Sequence, residues 1–72
     1  MYTEATTKDG NQGIIVKAET ISEILDECSR WIKDNNLDAT HVAPAKLMLC
    51  GTNEPIGEIT FTDEGVVCCT YQ

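Results

Sequence analysis

Four cysteines and one histidine are the side chains of this 72-residue chain best suited to chemistry. Cys28, Cys50, Cys68, Cys69 and His41 are all types that zinc accepts, and a cysteine thiolate beside a histidine base is a nucleophile. Their spacing supports neither use. Structural zinc sites present ligands in pairs roughly two to four residues apart on a tight knuckle, and no such pair occurs here. His41 stands near Pro44 with no bracketing motif, which is the setting of a loop histidine. Cys28 falls on an apolar helical stripe, and on a strand the adjacent Cys68 and Cys69 must point to opposite faces. One of that pair therefore fills the core as a small hydrophobe. Residues Met1 to Asp9 show neither the basic start nor the apolar stretch of a secretory signal, so a cytoplasmic location and free thiols are expected.

Carboxylates are plentiful, and Asp26 with Glu27 and Asp63 with Glu64 form adjacent pairs. A general acid needs a pocket that raises its pKa, whereas these pairs fall on exposed positions of the pattern. No glycine-rich phosphate loop, calcium loop, metalloprotease helix or nucleophile elbow occurs. A chain this short buries only about 60% of its unfolded surface, which leaves little stability for a deep, strained pocket. The expectation is a single domain, residues 1–72, that is not an enzyme and takes no cofactor.

Charge narrows the partners. The chain carries a net −7, and residues 47–72 hold Glu54, Glu58, Asp63 and Glu64 with no Lys or Arg at all. Lys8, Lys17, Arg30, Lys33 and Lys46 are too few and too scattered among acids to follow a phosphate backbone. Such a surface repels nucleic acid and anionic membrane and favours a protein partner with a basic surface. The alternative account of the same charge is that an acidic surface merely keeps a small protein soluble and monomeric.

The elements that must position these residues are legible from periodicity. Ile21, Ile24, Leu25, Cys28, Trp31 and Ile32 fall on one stripe at helical spacing, predicting an amphipathic helix over residues 20–35. Thr20 followed by Glu23 fits a capping box, Asp26 is placed to meet Arg30 one turn on, and Asn35 and Asn36 offer a left-handed exit. Before the helix, Tyr2 to Thr7 and Ile14 to Ala18 read as a hairpin around Asp9, Gly10, Asn11 and Gly13. After it, Thr40 to Cys50 contains a strand whose second half, with Leu47, Met48 and Leu49, is the firmer part because Pro44 interrupts the first. Ile56 to Thr62 alternates cleanly with Ile59 and Phe61 inward, and Asp63, Glu64 and Gly65 turn the chain into Val66 to Tyr71. The predicted fold is an α+β two-layer sandwich, one amphipathic helix on an antiparallel sheet in the order ββαβββ, with the last three strands a meander.

One helix covers only one face of five strands, so the other face meets water or a partner. Glu58, Thr60 and Thr62 are placed there by alternation, and the last strand is apolar on both sides. This predicts a non-enzymatic protein-binding module. Unpaired strand edges could also join two copies into a homodimer. The alternative is a small thiol-dependent or metal-binding protein using the cysteines.

In length, acidity and the succession of a helix from Ile21 to Asn35 and strands from Leu47 to Tyr71, the chain resembles small phage-encoded inhibitors of the anti-CRISPR type. The resemblance rests on profile rather than on a motif. It implies an acidic inhibitor that occupies a basic nucleic-acid-binding surface of a larger complex, carboxylates standing where phosphates would. Glu54, Glu58, Asp63 and Glu64 are then the first partner-binding candidates, with Glu23, Asp26 and Glu27 on the helix second.

Overall fold

The computed structural model describes residues 1–71. Along the chain run β1 (Tyr2–Thr6), β2 (Gly13–Lys17), α1 (Ile21–Asp34), a 3-10 turn (Ala39–His41), β3 (Ala45–Met48), β4 (Pro55–Thr62) and β5 (Gly65–Thr70). The five strands form one sheet in the order β2-β1-β3-β4-β5, and every neighbouring pair is antiparallel. This is the α+β two-layer sandwich that the periodicity predicts. The N-terminal hairpin docks through β1 onto β3, which makes the short β3 the middle strand of the sheet.

The helix starts where Thr20 Oγ1 accepts the Glu23 amide at 3.2 Å. The other half of the expected capping box is rearranged, because the Thr20 hydroxyl donates to Glu23 Oε1 at 3.1 Å. At the far end the Asn35 side-chain amide donates to the Trp31 carbonyl at 2.9 Å, and Asn36 takes a positive φ of 51° to leave the helix. Asp26 does not meet Arg30; Arg30 pairs instead with Glu27, three residues before it, at 3.0 Å. Both spacings bring side chains together on a helix surface, and exposed pairs of this kind contribute only about 0.3 kcal/mol, so little energy separates the two pairings.

Ile24, Cys28 and Trp31 are the buried stripe of α1. They close on Ala5, Val16, Val42, Ala45, Leu47, Ile59 and Phe61 from the sheet and the segment before β3. Ile24, Cys28, Leu47 and Ile59 are wholly inaccessible to solvent. So is Thr3, whose hydroxyl donates to the Lys46 carbonyl at 2.8 Å. The β1–β3 register is short, with Tyr2 opposite Met48 and Thr3 opposite Leu47, and the Thr3 hydroxyl extends the link just beyond it. Pairing resumes upstream of Pro44, where the Ala43 amide donates to the Thr6 carbonyl at 3.0 Å and Thr7 bridges Val42.

The strand expected over Thr40 to Cys50 is therefore confined to Ala45–Met48. Asp38 caps a 3-10 turn in its first part, its carboxylate accepting from the Thr40 amide at 2.9 Å and the Thr40 hydroxyl at 2.7 Å. Local side-chain bonds of this type compete with strand pairing, and Pro44 has no N–H to offer a ladder. Among the described residues no helix is long and apolar enough to cross a membrane.

Candidate functional site

The burial pattern separates the two faces of the sheet residue by residue. On β4 the inward Gly57, Ile59 and Phe61 are buried, while Glu58 and Thr62 are half-buried and Thr60 is exposed. On β1, Thr3 and Ala5 face the helix and Glu4 and Thr6 face out. Val66 and Cys68 of β5 pack toward the core, leaving Val67 and Cys69 on the outer face. The helix covers one side only, so the reverse is an open surface spanning all five strands.

Its composition is ordered. Register places Ile15 beside Glu4, Lys46 beside Glu58, and Glu58 beside Cys69. Glu4 and Lys46 line a shared shallow concavity with Tyr2 and Met48. The centre of the face thus holds one lysine flanked by two glutamates. Apolar side chains stand at the margins, where Ile15 is 63% exposed on β2 and Val67 50% exposed on β5, with Tyr71 equally exposed just beyond. Four strand spacings put these margins about 19 Å apart, so they are two small greasy borders rather than one patch.

The acidic candidates do not gather on that face. Glu58 is on it. Glu54 lies in the exposed loop before β4, and Asp63 and Glu64 form the exposed turn after it, so eight strand residues, about 26 Å, separate the two groups. The Thr62 hydroxyl accepts the Glu64 amide at 3.2 Å and donates to the Gly65 carbonyl at 2.8 Å, which fixes the turn. Glu23, Asp26 and Glu27 sit on the solvent side of α1, where they and Arg30 overlook β2 across a groove of about 420 Å³. Glu4, Lys46, Ile15 and Met48 were not singled out by sequence pattern. Their signal is alternation in strands of only four or five residues, too short to show which face is the core.

The cysteines are divided by burial. Burial pushes the Cys28 thiol up to about 11, with the neighbouring Glu27 charge adding to it, and burial raises Cys68 with help from Cys69. A thiol held protonated is a poor nucleophile and a poor metal ligand. Cys50 and Cys69 are exposed, and all four are unpaired thiols. His41 is exposed, with Nε2 3.8 Å from Asp38 Oδ2. Hydrogen bonds from the Thr40 hydroxyl and amide hold Asp38 below the usual carboxylate range, and the Thr7 hydroxyl and Asn11 amide do the same for Asp9. Both arrangements order local turns. No group of three His, Cys, Asp or Glu side chains among the described residues could hold a metal ion.

Thiol labelling of the native protein should modify Cys50 and Cys69 quickly, with Cys28 reacting only on unfolding. Because the folded value of Cys28 lies above its ordinary 9.0, the unfolded chain loses that proton first. Its contribution to stability is complete below pH 9.0 and disappears as pH rises toward about 11. A Cys28→Ala variant should therefore show a flatter loss of stability over that interval; an unchanged profile would remove Cys28 as the cause. No protein family, characterised protein or solved structure matches the chain.

Proposed function

We propose that the protein is a non-enzymatic binding module and that the uncovered face of its sheet is the surface that receives a protein partner. The observation that supports it is the one-sided packing of α1, which leaves Ile15 and Val67 in water on strands whose inward residues, Ile14, Val16, Val66 and Cys68, pack against the core. A few anchors carry most of the energy of protein interfaces, for which the exposed Tyr71, Ile15 and Val67 are the available side chains, and the charges of Glu4, Lys46 and Glu58 set register and steer the encounter. The partner carries a basic surface, in keeping with the net charge of −7.

The narrower role is that of an acidic inhibitor of the anti-CRISPR type, acting in the cytoplasm on the nucleic-acid-binding surface of a larger complex. Support comes from Glu58 on the open face, with Glu54 and the Asp63–Glu64 turn at the two ends of the same strand. Carboxylates spread along one strand can meet successive basic side chains of a surface that otherwise holds phosphates.

Capture of a basic partner by immobilised protein, repeated with face-specific variants, tests the proposal. Glu58→Lys and Val67→Asp on the open face should weaken capture at least about tenfold, which is about 1.4 kcal/mol, while Ser29→Lys on the exposed side of α1 should leave it intact. Raising the salt should weaken the wild-type complex, since exposed charges are screened beyond about 10 Å at 0.1 M. Equal loss from both sets of variants, or no loss from either, would sink the open-face assignment. For the inhibitor role, the readout is release of a labelled DNA duplex from a CRISPR effector complex as the protein is added.

A further inference from the structure

The sheet ends at β2, and the hydrogen-bond parity of the first hairpin shows which of its backbone groups are unused. The Met1 ammonium donates to the Ala18 carbonyl and the Ala18 amide donates to the Met1 carbonyl, both at 3.0 Å, and the Thr7 amide donates to the Gln12 carbonyl at 2.9 Å. In an antiparallel ladder directly opposed residues alternate between bonded and non-bonded pairs. With Thr3 opposite Val16 and Ala5 opposite Ile14, those two pairs make the intervening bonds. Gly13, Ile15 and Lys17 therefore turn their N–H and C=O groups away from β1. Among the described residues none of the three has another backbone hydrogen bond.

Beside this edge lies the groove floored by Ile14 to Ala18 and walled by Glu23, Asp26, Glu27 and Arg30. Arg30 is taken up by Glu27 at 3.0 Å, which leaves Glu23 and Asp26 as the excess acidic charge of a groove whose one other cation is Lys17 on its floor. On the other side of the same edge stands the exposed Ile15. A strand added to β2 would meet two different environments on alternate residues, Ile15 between Gly13 and Lys17 on the open face and the acidic wall on the helix side.

We infer that the free edge of β2 accepts an extended basic segment of a partner protein as a sixth strand, with a basic-apolar-basic pattern whose apolar residue sits against Ile15. This goes beyond the open-face proposal because it uses the edge of the sheet and its backbone, not the face. Main-chain bonds from Gly13, Ile15 and Lys17 supply the affinity, and Glu23 and Asp26 select the basic side chains. A second copy is the poorer occupant. Two-fold pairing of β2 with β2 keeps both helices on one side of the joined sheet and sets the acidic walls facing each other, on chains that each carry −7.

The test is an NMR titration of the isotope-labelled full chain with a synthetic peptide alternating Lys and Val, set against its Glu and Val counterpart. Binding of the Lys peptide should shift the amides of Gly13, Ile15 and Lys17 and slow their exchange, while Ile14 and Val16, already bonded to β1, keep their protection. The acidic peptide should leave the spectrum unchanged. Replacing Glu23→Gln and Asp26→Asn together should weaken the Lys peptide about tenfold, while the free variant keeps the dispersed amide spectrum of the folded chain. Shifts along α1 without slowed exchange at the edge mean diffuse attraction and overturn the proposal. So does equal binding of the acidic peptide, or edge protection that grows with protein concentration in the absence of peptide. Shifts confined to Glu58, Thr60 and Val67 would overturn the edge and leave the open-face proposal standing.

Discussion

Replacing Leu47 by alanine should leave the protein unfolded in a large share of molecules at room temperature. Leu47 lies on β3, the middle strand, and is wholly buried between Thr3 of β1 and Gly57 of β4. Truncating a buried leucine costs about 2 to 5 kcal/mol, from lost transfer energy and the cavity left behind. A single core in a chain of this size holds only about 3 to 5 kcal/mol in total. The loss therefore approaches the whole of the stability. Trp31 is the one tryptophan and is only 8% exposed, so its fluorescence reports unfolding in urea directly. The control is Leu49→Ala, two residues on, where the side chain is 45% exposed and the change should stay within about 0.5 kcal/mol. Equal midpoints for the two variants would refute the assignment of β3 as the centre of the core.

A second large effect is expected at Gly57, where the added methyl group has no room. A Cβ at this position would stand 2.8 Å from the Cys69 carbonyl oxygen and 3.2 Å from the Thr70 Cα. Both are backbone atoms of the neighbouring strand, so no side chain can rotate away. Gly57 pairs with Thr70, and the next bond of the ladder runs from the Tyr71 amide to the Ile56 carbonyl at 2.9 Å. Relief of the clash requires β5 to part from β4 at this end. Overpacking of this sort costs about 1 to 3 kcal/mol, against which stiffening the unfolded chain by Gly→Ala returns only about 0.4 to 1 kcal/mol. Gly57→Ala should therefore lower the urea midpoint and speed hydrogen exchange at Tyr71 more than at Val16, which is bonded to β1 at the opposite side of the sheet. A gain in stability would show that β5 yields at no cost. Because Val67 and Cys69 belong to the same edge, the variant should also disturb that margin of the open face.

Leu47 and Gly57 illustrate why parts of the molecule were legible in advance and parts were not. The helix is plain in the sequence because six apolar residues repeat at its period over more than three turns, with Thr20 marking the start. The alternation of β4 is equally plain, as eight residues suffice to show which set is apolar. In Leu47, Met48 and Leu49 all three side chains are apolar, and nothing local ranks a wholly buried one above a 45% exposed one. Pairing with β1 and β4 makes that choice. Thr3 looks like a surface threonine by type, and only the short β1–β3 ladder, which leaves the Lys46 carbonyl within 2.8 Å, explains its burial. Arg30 had carboxylates at two allowed spacings, and the sequence pattern does not discriminate between them.

The candidate surfaces divide in the same way. Acidity, the shortage of bases and the presence of just one covering helix follow from residue types and their periods, because charge and amphipathicity are local properties. Strand order is not local. It depends on which hairpin edge finds β3, and that long-range choice separates Ile15 from Val67 across the sheet. It also lays Glu23 and Asp26 beside the unpaired backbone of Gly13, Ile15 and Lys17. Sequence by itself determined the two layers and the sign of the charge; tertiary pairing alone decided where those charges stand relative to an open face and an open edge.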